Sequence, residues 1–309
     1  MLPSTIHTLS GRKIKWVNVT AISEVELQYL AREFNLHSLD LKDCQPPLQR
    51  PKIVPRDTYI FGIFVFPTFN SRTREIEQHE VDIFFLKDTV ITVHNNSFPE
   101  LRDFFALLEL NAELRDKLTA QPIGFVSQLL DELYDFCFPL LFHISSDIDA
   151  LSEGVRHGAS RATVHEILRL KNNVVAFRKA LQPHRGMLTR AISLFPQILK
   201  IKKSDTHYFD RLIDHTSEIW DHLETYYHAI DAVEDTHRTA ISYRLNEIMK
   251  TLTIFSIVIM SLTLFTNIFI VPALSTPLLG NYGDFWAMLG IMTLLTISAI
   301  GIFKRKGWL

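Results

Sequence analysis

The most regular feature of the chain is an uncharged, mostly apolar stretch from Thr251 to Val271. It is long enough for one helix to cross the roughly 30 Å hydrocarbon core of a bilayer. Polar and sulfur-containing residues recur within and just before it at steps of three and four, which places them on one helix face. This polar stripe consists of Asn246, Met249, Thr253, Ser256, Met260, Thr263 and Asn267. The spacing leaves two interpretations open: hydrogen bonds that hold neighbouring helices together, or the wall of a water-filled pore built from several copies.

A second apolar stretch, from Phe285 to Phe303, is also about long enough to span a bilayer. Residues 272–284 between the two stretches contain no Lys or Arg, whereas basic residues flank the pair on its other side. These flanking residues are Arg244, Lys250, Lys304, Arg305 and Lys306. The positive-inside rule therefore predicts a multi-pass protein of the inner (plasma) membrane with both termini in the cytoplasm. Two spans cannot enclose an aqueous path, so transport would require an oligomer.

The N-terminal part, residues 1–122, has the pattern of a mixed α/β domain. A capping box formed by Ser23 and Glu26 predicts a helix to about Phe34, and Pro99 in a first turn predicts a helix over Phe98–Leu110. Lys87-Asp88 predicts a hairpin turn between two strands. The predicted strands, rich in β-branched and aromatic residues, are 13–19, 58–66, 81–86 and 89–94.

From residue 123 to 250 the pattern is helical, and the chain has no Pro or Gly between Asp205 and Ile270. Apolar residues at coiled-coil-like steps predict a seam along which copies associate. The seam comprises Phe209, Leu212, Ile219, Leu223, Tyr226, Ile230, Val233, Ile241, Leu245 and Ile248. We also expect the acidic residues of 125–153 to form a solvated face. The predicted domains are 1–122, a helical stalk 123–250, span 251–272, external loop 273–284, span 285–303 and a basic tail 304–309.

Composition narrows the function. A net charge of −2 with no long basic run gives no support for nucleic-acid binding. The sequence shows no nucleophile–base arrangement and no phosphate-cradling glycine loop, so we predict neither an enzyme nor an organic cofactor. Cys44 and Cys137 lie far apart in apolar or helical contexts and are expected to be buried reduced thiols. His215 and His222 share a helix face, but without further ligands we expect surface or contact histidines rather than a zinc site.

Several segments resemble the CorA family of magnesium channels, and together they cover nearly the whole chain. The resemblance implies an α+β membrane protein: a cytoplasmic α/β domain, a funnel of long helices, and two C-terminal transmembrane helices. It also implies a homopentamer embedded in membrane lipid, whose pore is lined by five copies of the first span. Mg²⁺ is then the expected transported and regulatory ion. The segments are RLNEIMKTLTIF (244–255), FKRKGWL (303–309), FRKALQPHRGMLTRAI (177–192), YFDRLIDHTSEI (208–219), LDLKDCQPPLQRPKI (39–53) and KDTVITVHN (87–95).

The resemblance also implies roles for individual residues. It places Leu252 in the pore wall with the polar stripe and makes Met249, Leu252 and Met260 hydrophobic constrictions. The acids Asp210 and Asp214, with Glu80 or Asp82 as partners, are expected to bind regulatory Mg²⁺ between subunits. Asp235 matches an acidic ring, and Lys304, Arg305 and Lys306 would form a basic collar, offset by acids such as Asp231 and Glu234. Arg211 stands where relatives often have the regulatory Asp, which predicts weak magnesium inhibition.

One departure from the family concerns the outer filter. The family's Gly-Met-Asn tripeptide falls on Ile270, Val271 and Pro272, and proline cannot present an amide oxygen as asparagine does. Asn267 is the nearest candidate for a substitute ring of amide oxygens. The loss leaves three functions open: a magnesium channel, a channel for Co²⁺, Ni²⁺ or Zn²⁺, and a non-conducting regulatory membrane homologue.

Overall fold

The computed structural model describes residues 3–96, 98–157, 161–198, 207–270 and 284–307. Val271, Pro272 and the predicted external loop 273–283 lie outside these residues. The chain divides into two compact units, Met1–Glu234 and Asp235–Leu309. The sheet and the helical residues up to Glu234 belong to the first unit.

The first unit is built on a sheet of six strands in the order β1-β2-β6-β5-β4-β3. Neighbouring strands run antiparallel except β2 and β6, which are parallel. The hairpin predicted at Lys87-Asp88 is confirmed, since it joins β5 and β6 with Phe84 opposite Ile91. The strands are β1 Ile6–Ser10, β2 Lys15–Val19, β3 Lys52–Pro55, β4 Tyr59–Asn70, β5 Glu75–Leu86 and β6 Thr89–Val93.

Ten helices occur in the described parts of the chain. The capping box is confirmed at the start of α1, where Ser23 N donates to Glu26 Oε2 at 2.9 Å and Ser23 caps the first turn. Pro99 opens α3 as predicted. The helices are α1 Glu24–Phe34, α2 Ser38–Asp43, α3 Pro99–Leu110, α4 Ala112–Leu118, α5 Pro122–Asp135, α6 Cys137–His157, α7 Arg161–Leu181, α8 His184–Ile198, α9 Asp210–Ile270 and α10 Asp284–Arg305.

Side-chain alternation along the strands supplies two hydrophobic cores, one on each face of the sheet. On one face Phe61 and Phe84 pack with Leu30 of α1 and Leu41 of α2. On the other face a larger core joins sheet residues such as Trp16 and Phe85 to helices α3 and α5 to α9. The long strands β4 and β5 lie between these layers and carry fully buried aromatic residues on both faces.

The predicted association seam is wrong over its first half. Phe209, Leu212, Ile219, Leu223 and Ile230 are each 0% exposed and belong to the large core of the same chain. These side chains pack against the helices that cover the sheet, so they cannot contact another copy of the chain. The second half differs, because Ile241, Leu245 and Ile248 are 39%, 55% and 57% exposed.

Two further expectations need correction. The acidic helical stretch 125–153 is two helices that divide at Phe136, and Asp131 is only 3% exposed rather than solvated. Its carboxylate forms an ion pair with Arg211 of α9. The prolines Pro46, Pro47, Pro51 and Pro55 predict a loop, but Lys52–Pro55 forms the edge strand β3, where a proline is tolerated.

Candidate functional site

The second unit consists of the C-terminal part of α9, from Asp235, and α10. Both helices contain an 18-residue window with a mean hydropathy of 2.0, which is long and apolar enough to cross a membrane. Large apolar side chains are exposed along them, including Met260 at 76%, Trp286 at 70% and Leu294 at 69%. Such an extensive apolar surface is unfavourable in water, whereas hydrocarbon tails or further copies of the chain would cover it.

One face of α9 lies against α10. Ile254 is 6% exposed, and Val258 and Leu262, one and two turns further on, are half-buried. At one end of this face Lys250 Nζ donates to the carbonyl oxygen of Gly307 at 2.9 Å. At the other end Thr266 Oγ1 lies 4.0 Å from Met292 Sδ of α10. The i, i+4 spacing of these residues defines the face of α9 that the chain itself covers.

The polar stripe lies on the other side of α9. With 100° per residue, the stripe and the α10-facing residues fall on roughly opposite sides of the helix. Every member of the stripe, together with Leu252, is exposed in the single chain. The structure therefore brings all the sequence-predicted pore-lining residues onto one uncovered face. These residues are Asn246, Met249, Leu252, Thr253, Ser256, Met260, Thr263 and Asn267.

The threonine hydroxyls of the stripe donate to their own helix. Thr253 Oγ1 donates to Met249 O at 2.7 Å, and Thr263 Oγ1 donates to Ile259 O at 2.8 Å. This i to i−4 bond satisfies the hydroxyl hydrogen without a neighbouring helix. The oxygen lone pairs that remain are acceptors directed away from the helix axis. The stripe thus offers oxygen acceptors to the waters of a hydrated cation.

Three apolar members stand between the polar ones. Met249, Leu252 and Met260 are 63%, 65% and 76% exposed, so each would project toward whatever faces the stripe. Rings of such side chains around a narrow axis exclude water and block ions by dewetting. Asn267 lies one turn beyond Thr263 and is also exposed. Ile270 ends α9; its side chain, Val271 and Pro272 lie outside the described residues.

Three basic residues lie at the C-terminal end of α10. Lys304 and Arg305 form the last turn of α10 and Lys306 follows it, and all three side chains are exposed. The acids expected to offset them are only partly available. Lys171 Nζ holds both Asp231 and Glu234, at 2.7 and 3.1 Å, so these carboxylates are already paired within the first unit. Asp235 is exposed.

The structure does not bring the predicted regulatory acids together within one chain. Asp210 and Asp214 are exposed on α9, whereas Glu80 and Asp82 belong to β5. Among the described residues, one group has ligand atoms all within 4.8 Å of each other: Asp131, Asp135 and His215. Pairing of the predicted acids between subunits stays a prediction.

The Asp131 cluster was missed at the sequence level. His215 Nδ1 lies 3.4 Å from Asp131 Oδ1 and 3.8 Å from Asp135 Oδ1, so this histidine faces acids rather than solvent alone. Burial raises the pKa of Asp131, and the Arg211 guanidinium beside it acts in the opposite direction. Arg211 supplies a fixed cation to an acidic cluster, which is consistent with weak binding of a second cation there. Arg211, next to Asp210 in the sequence, was the signal from which a charged cluster in this part of α9 could have been predicted.

Comparison with known proteins identifies the class. A family model described as "CorA-like Mg2+ transporter protein" matches residues 11–305, and the chain belongs to this family of membrane transporters. Members of the family are transporters and channels, not enzymes. The outline predicted from the sequence, with an α/β N-terminal domain, long helices and two C-terminal spans, is confirmed.

Individual relatives cover most of the chain. A cobalt/magnesium transport protein CorA from Thermotoga maritima is 28% identical over 295 residues, covering 95% of this chain and 83% of that protein. The putative metal ion transporter YfjQ of Bacillus subtilis is 29% identical over 300 residues, with 95% and 89% covered. The solved structure of the CorA magnesium transporter from Methanocaldococcus jannaschii has the same fold, with a TM-score of 0.84 at 20% identity, covering 97% and 94%.

Proposed function

We propose that the chain forms a homopentameric divalent-cation channel of the inner membrane, with Mg²⁺ as its main ion. The observation that carries this proposal is the exposed polar stripe of α9, which lies opposite the face covered by α10. A lipid-facing helix gains nothing from such a stripe, because unpaired polar groups in hydrocarbon are costly. Turned toward a common axis in several copies, the same stripe becomes the wall of an aqueous pore.

The chemistry of the stripe suits a hydrated ion. Mg²⁺ gives up its water reluctantly, so a pore that binds it through its water shell needs outward-facing acceptors rather than dehydrating ligands. The Thr253 and Thr263 hydroxyl oxygens and the Asn246 and Asn267 amides are groups of that kind. The membrane potential suffices to drive uptake, since two charges moving inward through 100 mV gain about 4.6 kcal/mol. The names of two relatives, cobalt/magnesium transport protein CorA, support the same class of ion.

The topology follows from the basic residues. Lys250, within α9, donates a hydrogen bond to Gly307 just beyond the end of α10, where the exposed Lys304, Arg305 and Lys306 also lie. The positive-inside rule assigns this end, and with it both termini, to the cytoplasm. Regulation by Mg²⁺ bound between subunits at Asp210 and Asp214 is part of the proposal. We expect it to be weak, because Arg211 stands where relatives often have the regulatory Asp.

A specific feature favours an alternative. Ile270, Val271 and Pro272 stand where the family's outer filter tripeptide is expected, and none of them carries a side-chain carbonyl oxygen. A channel for Co²⁺, Ni²⁺ or Zn²⁺, or a homologue that no longer conducts, would tolerate this change.

Uptake into liposomes by the purified protein tests the proposal. We expect a membrane potential, negative inside, to drive entry of Mg²⁺ reported by a trapped indicator. Native mass measurement in detergent should give five copies. Thr263→Val removes a hydroxyl from the stripe and should slow uptake several-fold. Thr293→Val on α10 is the matched control, because Thr293 Oγ1 also donates to its own i−4 carbonyl, Leu289 O, at 2.8 Å and is exposed.

The outcomes are distinct. Uptake of Co²⁺ but not Mg²⁺ would favour the alternative ion, and no uptake from an intact pentamer would favour the non-conducting homologue. Equal effects of Thr263→Val and Thr293→Val would contradict the assignment of the stripe to the pore, and a monomer or dimer would exclude the pentameric arrangement.

A further inference from the structure

A cavity of about 190 Å³ lies in the first unit at the end of β6. Strand β5 pairs with β6 only as far as Asp82, opposite Val93, and continues alone to Glu75 on that side. The segment that follows α2, beginning with Cys44, covers the space left by β6. The cavity is therefore lined by the unpaired part of β5, the α2–β3 connection and the end of β6 with the residues that follow it. It belongs entirely to the first unit and is separate from the polar stripe.

Two buried polar atoms that line this cavity have no hydrogen-bond partner among the described residues. Asp82 is 2% exposed and its Oδ1 is unpartnered, and His94 is 3% exposed with Nδ1 unpartnered. An unpartnered buried polar group is destabilising, and more so when it is charged. A ligand held in this cavity would satisfy both atoms.

The side chains of this cavity that are best suited to bind a metal ion lie around Asp82. Its carboxyl interacts with the Glu80 carboxyl on one side and with the Cys44 thiol on the other. Glu80 and Asp82 are two residues apart on β5 and so lie on the same face of the sheet. Gln49 N donates to Glu80 Oε2 at 2.6 Å, which fixes that carboxylate and leaves its other oxygen available.

The charge balance of this group is unfavourable as it stands. Burial, together with the neighbouring Glu80 and Asp43, raises the pKa of Asp82 well above its usual range. Burial and the same acids raise the pKa of the Cys44 thiol. Lys52 is the nearby cation, but it is paired with Asp43 at 2.5 Å. Cys44, Glu80, Asp82 and His94 all line this cavity, and a divalent cation held there would supply the positive charge that the buried acids lack.

The donor set decides the class of cation. Two carboxylates alone would suit Mg²⁺, but a thiolate is a soft ligand that selects transition metals such as Co²⁺ or Zn²⁺. The ligand atoms of Cys44, Glu80 and Asp82 do not all lie within 4.8 Å of one another, so their side chains must turn toward the cavity to share one ion. Glutamate has the rotatable bonds for this, and the cavity provides the space. His94 could complete the set through its unpartnered Nδ1.

We propose that Cys44, Glu80 and Asp82 form a binding site for a divalent transition metal inside the N-terminal unit. The site is independent of whether the chain conducts ions. It differs from the sequence expectation that Glu80 and Asp82 pair with stalk acids of another subunit, because here their partner is a thiol of the same unit. It also gives Cys44 a role beyond that of a buried thiol.

Cobalt titration of the full-length protein, purified in detergent after treatment with a chelator, tests the proposal. Co²⁺ bound to a thiolate gives a charge-transfer band in the near ultraviolet. We expect that band to saturate at one Co²⁺ per chain, to disappear on addition of Zn²⁺ and to persist in excess Mg²⁺. Because binding displaces protons, the apparent affinity should rise with pH.

Substitutions of single residues identify the side chains that bind the cobalt ion. Cys44→Ser should abolish the band, whereas Cys137→Ser should retain it. Cys137 is the matched control, because it is also a buried free thiol whose Sγ donates to a carbonyl one turn earlier, as Cys44 does. Asp82→Asn preserves shape and should weaken cobalt binding at least tenfold, which gives a second test if Cys44→Ser does not assemble.

Three results would overturn the proposal. The first is the absence of a thiolate band, with cobalt bound elsewhere or not at all; the cavity would then hold water only. The second is a band lost in Cys137→Ser but kept in Cys44→Ser. The third is an unchanged cobalt affinity in a folded Asp82→Asn protein. Binding at Asp131, Asp135 and His215 would be recognised by cobalt absorption that lacks the thiolate band.

Discussion

The two halves of helix α9 carry the same apolar spacing and use it differently. In the first half Leu212, Leu223 and Ile230 are completely buried against helices of their own chain. In the second half Leu245, Leu252 and Met260 are 55–76% exposed. The first half therefore completes a core within one chain. The second half leaves its face for a membrane, a pore or further copies.

The comparison shows that periodicity identifies a helix face but not its neighbour. Steps of three and four are common to core helices, coiled coils and pore-lining helices. The halves of α9 differ in what packs beside them. Helices α5 to α8 of the same chain pack against the first half, whereas α10 covers only one side of the second half. Substitutions in the first half should therefore lower the stability of the fold, whereas substitutions in the second half should change ion uptake or assembly.

The largest expected effect is on folding. Leu223→Ala in the first half removes a fully buried side chain and should destabilise the first unit by about 2–5 kcal/mol. Leu245→Ala in the second half removes a half-exposed one and should change stability by no more than about 0.5 kcal/mol. Thermal unfolding of both variants in the same detergent measures the difference. Equal losses would show that the second half is also packed, and would contradict the contrast between the halves.

The next effect concerns the pore face. Asn267→Gly should leave the pentamer intact and change the rate or ion preference of uptake about tenfold, equivalent to about 1.4 kcal/mol, if Asn267 forms a substitute filter. Ser261→Gly controls for glycine in the same helix, because Ser261 lies outside the polar stripe. Pro272→Asn alone should do little.

Each result with Asn267 has a definite meaning. Unchanged uptake and selectivity in an intact Asn267→Gly pentamer would exclude the substitute filter. Loss of the pentamer would mean that Asn267 holds neighbouring helices together, which is the other interpretation of the stripe.

The smallest effect is a pH dependence confined to the first unit. His184 is fully buried, and burial lowers its pKa to about 3, from 6.5. Below pH 6.5 the unfolded chain takes up the proton first. The stability is therefore complete well above 6.5 and falls by about 1 kcal/mol between pH 6.5 and 5.5.

His184→Gln should flatten the dependence of the unfolding temperature on pH between 6.5 and 5. His94, whose pKa burial lowers to about 4, stays in both proteins and its contribution cancels in the comparison. An unchanged slope in the variant would show that His184 does not cause the acid sensitivity.

Much of the fold could be predicted because its signals are local. The capping box at Ser23, the turn at Lys87-Asp88 and the two uncharged stretches each depend on residues close in sequence. The polar stripe could be predicted for the same reason, since one helix carries it all.

What the sequence did not reveal depends on contacts between distant residues. The burial of Asp131 is set by Arg211, 80 positions away, and the burial of Leu223 by helices earlier in the chain. The edge strand β3 was not predicted because it contains a proline, which a strand tolerates only at the edge of a sheet. The cavity beside Asp82 arises because β6 ends before β5 does, and no local pattern records where a partner strand stops.

The back-bonded threonines of α9 have a consequence for anions. Chloride is bound by hydrogen-bond donors, and the hydroxyl hydrogens of Thr253 and Thr263 are already given to Met249 O and Ile259 O. A pore wall built from these two side chains presents oxygen atoms to a passing ion, and its hydroxyl hydrogens are not available as donors. At the levels of Thr253 and Thr263 the wall would favour cations over anions without a charged residue, and this preference does not depend on the outer filter.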